Sequence, residues 1–163
     1  MKPPSQDAQS AEPGSQVLVI GYGNELRGDD AAGPKVVEAA AGWHLSKLRT
    51  LTCQQLTPEL AESIAGASAV VFVDASVNAE DPSVQAVRIG PLADGVKATH
   101  TTDPRWLLAL AQQAFGHCPP AWLVSVPGER FAFGEGLSPK AAEGVATAEE
   151  KVREICTGEA TDG

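Results

Sequence analysis

Five short runs of apolar residues along the chain predict the strands of a sheet. The first covers residues 17–21, where four consecutive apolar residues end at a glycine, as in a central parallel strand that is covered on both faces. The run at 84–89 alternates its side chains so that it is half-exposed, which predicts an edge strand or an antiparallel one. The other three runs lie at 48–54, 69–73 and 121–126.

Apolar residues at helical spacing separate these strands. We expect the first helix to start near Asp29 or Asp30, with an acid at the positive end of the helix dipole, and to end near Gly42. A cap residue followed by proline predicts further helix starts at 57–58, 103–104 and 138–139. The expected buried faces comprise Ala32, Val36, Val37, Ala40 and Ala41 in the first helix, Trp106, Leu107, Leu110, Ala111 and Ala114 in the third, and Ala141, Val145, Ala148, Val152 and Ile155 in the last.

Strands that alternate with helices predict an α/β fold with a single domain over residues 17–156. We expect three layers, in which a twisted, mostly parallel five-stranded sheet carries helices on both faces. Right-handed crossovers place the strand-to-helix loops at one edge of such a sheet, so Glu25, Asp74 and His100 are expected at the same rim. Outside the domain we expect a disordered lead-in over residues 1–16 and a tail over 157–163.

The composition narrows the class of protein. The chain has 163 residues, of which 43% are hydrophobic and 20% charged, as in soluble globular proteins. A net charge of −9 disfavours binding to nucleic acid, and no apolar run approaches the roughly 20 residues of a membrane-spanning helix. The lead-in lacks the features of a secretory signal, and the three cysteines are too scattered for a disulfide framework. We therefore expect a cytoplasmic protein with reduced thiols and no nucleic-acid or membrane partner.

A glycine-rich loop with several acids, residues 21–30, follows the first strand. It does not fit a dinucleotide-binding loop, because Leu26 stands where the third small residue belongs and Gln54 replaces the acid expected after the second strand. Asp29 and Asp30 are compatible with proton transfer or metal ligation. Helix capping explains at least one of these two acids more simply.

Glu25, Asp74 and His100 would supply two carboxylates and one imidazole from three separate loops. Such a set leaves room for water or a substrate group and suits a borderline divalent metal such as nickel or zinc. Each residue also has a simpler explanation. An acid in a glycine-rich loop is often a surface charge, an aspartate at a strand end often fixes a turn, and a histidine beside threonines is often only solvated. Spacing alone leaves both explanations open.

A longer pattern connects these residues. The segment G-Y-G-N-E-L-R-G-D-D-A-A-G at 21–33 is followed by V-V-F-V-D-A up to position 75, by His100 ahead of W-L-L, and by G-L-S-P at 136–139. Over residues 17–155 the pattern resembles the [NiFe]-hydrogenase maturation endopeptidases. The family's metal-binding Glu, Asp and His fall here on Glu25, Asp74 and His100. One departure is Ala31, where the family usually has a glycine, since alanine disfavours a positive φ.

The resemblance implies a phosphorylase/hydrolase-like α/β fold and a hydrolase acting on a peptide bond. Such a protein removes a C-terminal peptide from the precursor of the [NiFe]-hydrogenase large subunit after nickel has been inserted. Nickel would be supplied by this precursor and recognised through Glu25, Asp74 and His100, and another divalent metal is able to occupy the site in vitro. The same residues are the candidate catalytic groups, with water attacking a metal-polarised carbonyl and Glu25 or Asp74 as base. We expect a monomer when the protein is free.

Two other classes of protein compete with this interpretation. A non-catalytic escort would sense nickel on the same precursor without cutting it, and its sequence would differ only at the ligands. All three candidate ligands are intact here, which favours the enzyme. A nucleotide binder is the more distant alternative, and it predicts protection of the glycine-rich loop by NAD but not by a divalent metal.

Overall fold

The structure, a computed structural model, describes residues 16–77, 80–97 and 102–158. His100 lies outside these residues, as do positions 1–15 of the expected lead-in and positions 159–163 of the expected tail. The strands of the described part are β1 (Val17–Tyr22), β2 (Leu48–Cys53), β3 (Ala69–Val77), β4 (Gln85–Ile89) and β5 (Ala121–Gly128).

The five strands form one sheet in the order β2-β1-β3-β5-β4. Strands β1, β2, β3 and β5 pair in parallel, and β4 pairs antiparallel with β5 at the edge. The predicted parallel sheet and the predicted edge strand are therefore confirmed. The chain moves from β1 outward to β2 and then returns to β3 on the other side of β1. The carboxyl ends of β1 and β3 thus flank a switch point, where open α/β sheets bind their ligands.

Helices cover both faces of the sheet, which confirms the three-layer α/β fold. One face, with Val19 and Val71, packs against α1 and α4, whereas the opposite face, with Ile20 and Phe72, packs against α2 and α3. These residues are fully buried, as the alternation of side chains along a strand requires. The helices are α1 (Ala32–Ala41), α2 (Leu60–Ala65), α3 (Pro104–Phe115) and α4 (Pro139–Thr157), with 3-10 turns at Gly28–Ala31 and Gly95–Lys97.

Two glycines of the motif allow α1 to pack closely on the sheet. A Cβ atom on Gly21 in β1 would clash with the carbonyl oxygen of Gly33 in α1. A Cβ atom on Gly33 would in turn clash with the carbonyl oxygen of Val73 and lie 2.8 Å from that of Tyr22. The first turn of α1 therefore sits directly on the adjacent ends of β1 and β3, which hold the residues of the candidate site.

Strand β3 is longer than its apolar run indicated. The run ends at Val73, but β3 continues to Val77 because residues 74–77 pair with residues 125–128 of β5. Asp74 consequently lies within a strand, opposite Ser125, rather than just beyond the strand end. Its backbone is fixed by the sheet on that side, which makes it a more rigid support than a loop residue.

The helix starts agree with the sequence in two of three cases. Asp103 and Ser138 cap α3 and α4 through their side chains, as predicted. The cap predicted at Thr57 is wrong, because α2 begins at Leu60 without a side-chain cap. The stripe on α4 is buried throughout, whereas Ala41 and Ala114, the last members of the stripes on α1 and α3, are exposed. Among the helices of the described residues, none is long and apolar enough to cross a membrane.

Candidate functional site

Asp74 is the best-defined residue of the candidate site. It lies in β3 next to the end of β1, and its side chain is partly buried. The Tyr22 hydroxyl donates a hydrogen bond of 2.9 Å to its Oδ2 atom. The other oxygen, Oδ1, is buried and has no hydrogen-bond partner among the residues that the structure describes. A buried carboxylate oxygen that lacks a donor is costly, so a proton, a donor or a cation at this atom would be stabilising.

This environment shifts the pKa values of both residues. Burial raises the pKa of Asp74 to about 6, although the hydrogen bond from Tyr22 and the nearby Ser125 side chain act in the opposite direction. The negative charge of Asp30 raises it further. Burial also raises the pKa of the Tyr22 phenol far above its ordinary value, and the adjacent Asp74 carboxylate adds to this shift. Tyr22 therefore keeps its proton and acts as a hydrogen-bond donor at neutral pH.

A cavity of about 550 Å³ opens beside Asp74. Its volume is in the range of sites that bind small molecules or side chains. Apolar side chains of β4 and β5 form one wall, and the first turn of α3 with its ion pair of 2.9 Å between Arg105 and Asp103 forms the other. The described residues that line it are Tyr22, Asp74, Ile89, Leu123 and 102–105. We call it the Asp74 cavity.

Glu25 occupies a neighbouring position in the loop after β1. Its side chain is exposed and lines a pocket of about 400 Å³ between this loop and the end of β2. Cys53 lines the same pocket, but burial raises the pKa of its thiol, which disfavours the nucleophilic thiolate at neutral pH. Cys53, Cys118 and Cys156 are all free, as expected.

The two carboxylates thus share a rim but not a cavity. Asp74 faces the side of α3, and Glu25 faces the end of β2. Within residues 16–77, 80–97 and 102–158, no three His, Cys, Asp or Glu side chains are grouped to hold a metal ion. The third candidate, His100, lies outside these ranges, so the predicted ligand set of Glu25, Asp74 and His100 stays a prediction. The buried Oδ1 of Asp74, which no described residue reaches with a donor, is the atom whose environment fits a cation.

Asp29 and Asp30 have structural roles that differ from the predicted caps. Neither side chain caps the 3-10 turn at Gly28–Ala31 or the helix α1. Asp29 is fully buried and accepts four hydrogen bonds of 2.7–3.0 Å, from the backbone of residues 129, 130 and 138 and from the Ser138 hydroxyl. The Asp30 carboxylate accepts a hydrogen bond of 2.7 Å from the backbone N–H of Asn24. The capping interpretation is therefore wrong.

Together these contacts fix the loop that carries Glu25. Asp30 closes the loop by bonding to Asn24. Asp29 attaches the end of the loop to two segments that are distant in the chain, residues 129–130 and residue 138. A cross-loop hydrogen bond from Gly134 N–H to the Leu26 carbonyl adds to this framework. Ala31 has a φ of −76°, which alanine adopts without strain, so this departure from the family pattern does not alter the loop.

Tyr22 is the site residue that the sequence did not indicate. It stands between two glycines at a strand end, and no local pattern marks its hydroxyl as a partner of a residue 52 positions away. Its role becomes visible only from the sheet order of the structure, since β1 and β3 must be neighbours before the end of β1 can reach Asp74.

Comparisons with known proteins agree with this architecture. No family model matches the chain, and a search of curated proteins gives no match either. Among solved structures, the hydrogenase maturating endopeptidase HybD from Escherichia coli is 24% identical with a TM-score of 0.69, covering 88% of this chain and 93% of that one. HybD from Thermococcus kodakarensis is 21% identical with a TM-score of 0.70, covering 86% and 99%.

A third structure, an endopeptidase from Escherichia coli, is 26% identical with a TM-score of 0.64 and covers 84% of this chain and 89% of that one. The likeness thus extends over most of each protein. The comparisons confirm the resemblance that the motif at 21–33 indicates: the chain has the α/β fold of the [NiFe]-hydrogenase maturation endopeptidases.

Proposed function

We propose that this protein is a cytoplasmic endopeptidase that removes the C-terminal extension of a nickel-loaded [NiFe]-hydrogenase large-subunit precursor. The observation that carries this proposal is Asp74. It lies at the switch point of this fold, where the family resemblance implies a metal-binding residue, and the described residues supply no donor to one of its buried carboxylate oxygens. Structures of this fold include proteins named as hydrogenase maturation endopeptidases.

In this proposal nickel is part of the substrate rather than a resident cofactor. Glu25, Asp74 and His100 recognise it, and zinc or another divalent metal is able to replace it in vitro. Oxygen donors with open positions suit a metal that also keeps ligands from the precursor. Nickel supplies Lewis-acid character to the reacting carbonyl. The chain's own carboxylates then act as recognition groups and as the local base.

The proposed reaction is hydrolysis by water. A water molecule adds its oxygen to the carbonyl carbon of the scissile peptide bond, and its proton passes to the carboxylate of Glu25 or Asp74. The C–N bond then breaks, and the same proton passes to the leaving amine. Glu25 is exposed at the rim, so a water molecule reaches it freely, whereas Asp74 holds its Oδ2 toward Tyr22.

The proposal also takes the protein to be a monomer when it is not bound to the precursor.

A mass measurement tests the proposal. Purified protein is mixed with nickel-loaded precursor, with apo precursor and with nickel-loaded precursors of other hydrogenases from the same cell. We expect one loaded precursor to become shorter by a C-terminal peptide while its apo form stays intact. Stable binding of the loaded precursor without any shortening would instead support a nickel-sensing escort, and shortening of the apo form would reject nickel recognition.

A further inference from the structure

We propose that Tyr22 is a positioning residue that fixes the Asp74 carboxylate and couples it to the loop carrying Glu25. The inference rests on the proposed function, because it concerns how the two acids recognise nickel on the precursor. It goes beyond that function by adding a residue of β1 to the site. Tyr22 is the only tyrosine of the chain.

The first part of the argument is that Tyr22 is itself held firmly. Its backbone is paired with Cys53 of β2, and the next residue, Gly23, donates a backbone hydrogen bond of 3.1 Å to the Cys53 carbonyl. Its ring packs against the hydrophobic cluster between the sheet and the α2 and α3 layer. A side chain anchored at both its backbone and its ring has little freedom to move away from its partner.

The second part is that Tyr22 divides the two oxygens of Asp74 into different roles. Its hydroxyl occupies Oδ2 at 2.9 Å, while Oδ1 is buried and receives no hydrogen bond from any described residue. A carboxylate held at one oxygen presents the other in a defined direction, whereas an unheld carboxylate rotates about its Cβ–Cγ bond. By occupying Oδ2, Tyr22 leaves Oδ1 as the oxygen of Asp74 that is available to a cation.

The third part is that Tyr22 connects the two acids of the site. It is the last residue of β1, and Glu25 follows it by three positions in a loop that Asp30 closes at Asn24. The start of this loop is thus held in a fixed relation to Asp74 through one hydrogen bond between adjacent strands. The phenol acts as a link between two carboxylates that line separate cavities.

Binding of Ni²⁺ alone to the purified chain tests this role without requiring cleavage. Calorimetry compares the wild type with Tyr22→Phe, which removes only the hydroxyl, and with Asp74→Asn. A matched control is Thr157→Val, which removes a hydroxyl that donates at the same 2.9 Å to the Arg153 carbonyl at the far end of α4. Thermal unfolding of each variant reports whether the fold is intact.

We expect Tyr22→Phe to bind Ni²⁺ about tenfold more weakly than the wild type, since loss of a partner that orients a metal ligand typically has this effect. Asp74→Asn abolishes the same binding, and Thr157→Val retains it. In cleavage of loaded precursor, kcat/KM falls by a similar factor for Tyr22→Phe. A merely structural role would lower the unfolding temperature and leave the nickel affinity of the folded protein unchanged.

Equal nickel affinity of the wild type and Tyr22→Phe overturns the inference. The inference is also overturned if Asp74→Asn abolishes no nickel binding of the wild type, because Asp74 would then not be a nickel-recognising group. If Tyr22-dependent nickel binding is found but no precursor is cut, the endopeptidase function fails while the positioning role stands. The two proposals are thus tested separately.

Discussion

Asp29 accepts two hydrogen bonds from Ser138, one from its backbone N–H at 2.7 Å and one from its hydroxyl at 2.8 Å. The two residues lie 109 positions apart, and both are fully buried. Ser138 in turn caps α4 by accepting a hydrogen bond from Ala141 N–H. A motif residue of the first loop thereby fixes the start of the last helix.

Replacing Asp29 by alanine is expected to destabilise the protein strongly. Four donors would lose their acceptor in the interior, and we estimate a loss of about 3–5 kcal/mol in the free energy of unfolding. Urea denaturation followed by circular dichroism measures this loss. Because the loop before α1 would detach from residues 129–138, precursor cleavage should fall as well.

The chain contains a matched control for this prediction. Asp81 also accepts hydrogen bonds from the backbone and hydroxyl of a serine, Ser83, at 2.9 and 2.6 Å. This pair is exposed and only two positions apart, so Asp81→Ala should change the free energy of unfolding far less than Asp29→Ala does. Equal effects of the two substitutions would show that the buried position of Asp29 is unimportant.

Asp74 should make the folded state less stable as pH rises through 6. Burial raises its pKa in the folded protein to about 6, above its value in the unfolded chain, so folding favours the protonated form. Its stabilising contribution is complete below the unfolded pKa and is lost as pH rises through the folded pKa. Relative to the wild type, Asp74→Asn should therefore gain about 1 kcal/mol in unfolding free energy between pH 5 and pH 7.5.

Urea denaturation at both pH values tests this prediction. The contributions of the other titrating groups cancel in the difference between the unfolding free energies of variant and wild type. Asp94→Asn, at an exposed position, is the control. A constant difference for Asp74→Asn would contradict a raised pKa of Asp74. Asp29 changes the pH dependence of stability only at lower pH. Burial alone would raise its pKa, but its hydrogen bonds bring the pKa below the ordinary value, so its stabilising contribution is lost only as pH falls.

An added methyl group at Gly33 should push α1 away from the sheet. The new Cβ atom would meet the carbonyl oxygens of Val73 and Tyr22, which are fixed by strand pairing. We expect Gly33→Ala to lower the free energy of unfolding by about 2–3 kcal/mol. Gly90→Ala is the control, since its Cβ would lie in open space and should change stability by less than about 0.5 kcal/mol.

Removing both candidate acids should abolish cleavage while the fold persists. We expect the double variant Glu25→Gln, Asp74→Asn to lower kcat/KM for nickel-loaded precursor by about 10³-fold or more, since loss of a general base alone typically costs 10²–10⁴-fold. Mass spectrometry of the precursor over time measures this. The control, Glu150→Gln with Asp94→Asn, changes two exposed acids and should cleave normally. Normal trimming by the first double variant would remove both acids from the mechanism.

Several features of the fold follow from local patterns. The apolar run of β1 and the helical stripe of α4 were predictable because each element buries side chains at its own period. The edge position of β4 followed from its half-exposed alternation. The motif at 21–33 indicated the fold by its family resemblance, and the structure shows that Gly21 and Gly33 of this motif are required where α1 contacts the sheet.

Errors arose where the deciding partner was distant in the chain. Asp29 looked like a helix cap because an acid before a helix commonly is one, but its partners at 129, 130 and 138 are visible only after the chain has folded. The end of β3 was misplaced because pairing with β5, and not apolarity, extends it to Val77. Tyr22 went unnoticed for the same reason.

The sequence by itself determined the order of strands and helices, the α/β class and the placement of Glu25 and Asp74 at one rim. These follow from side-chain periodicity and from the handedness of crossovers, which are local or generic properties of a polypeptide. Only the tertiary structure decided that Tyr22 bonds to Asp74, that the two acids line separate cavities, and that Asp29 joins three segments. Such contacts form between residues that are distant in the sequence and become neighbours only after the strands have paired, so no short-range sequence pattern predicts them.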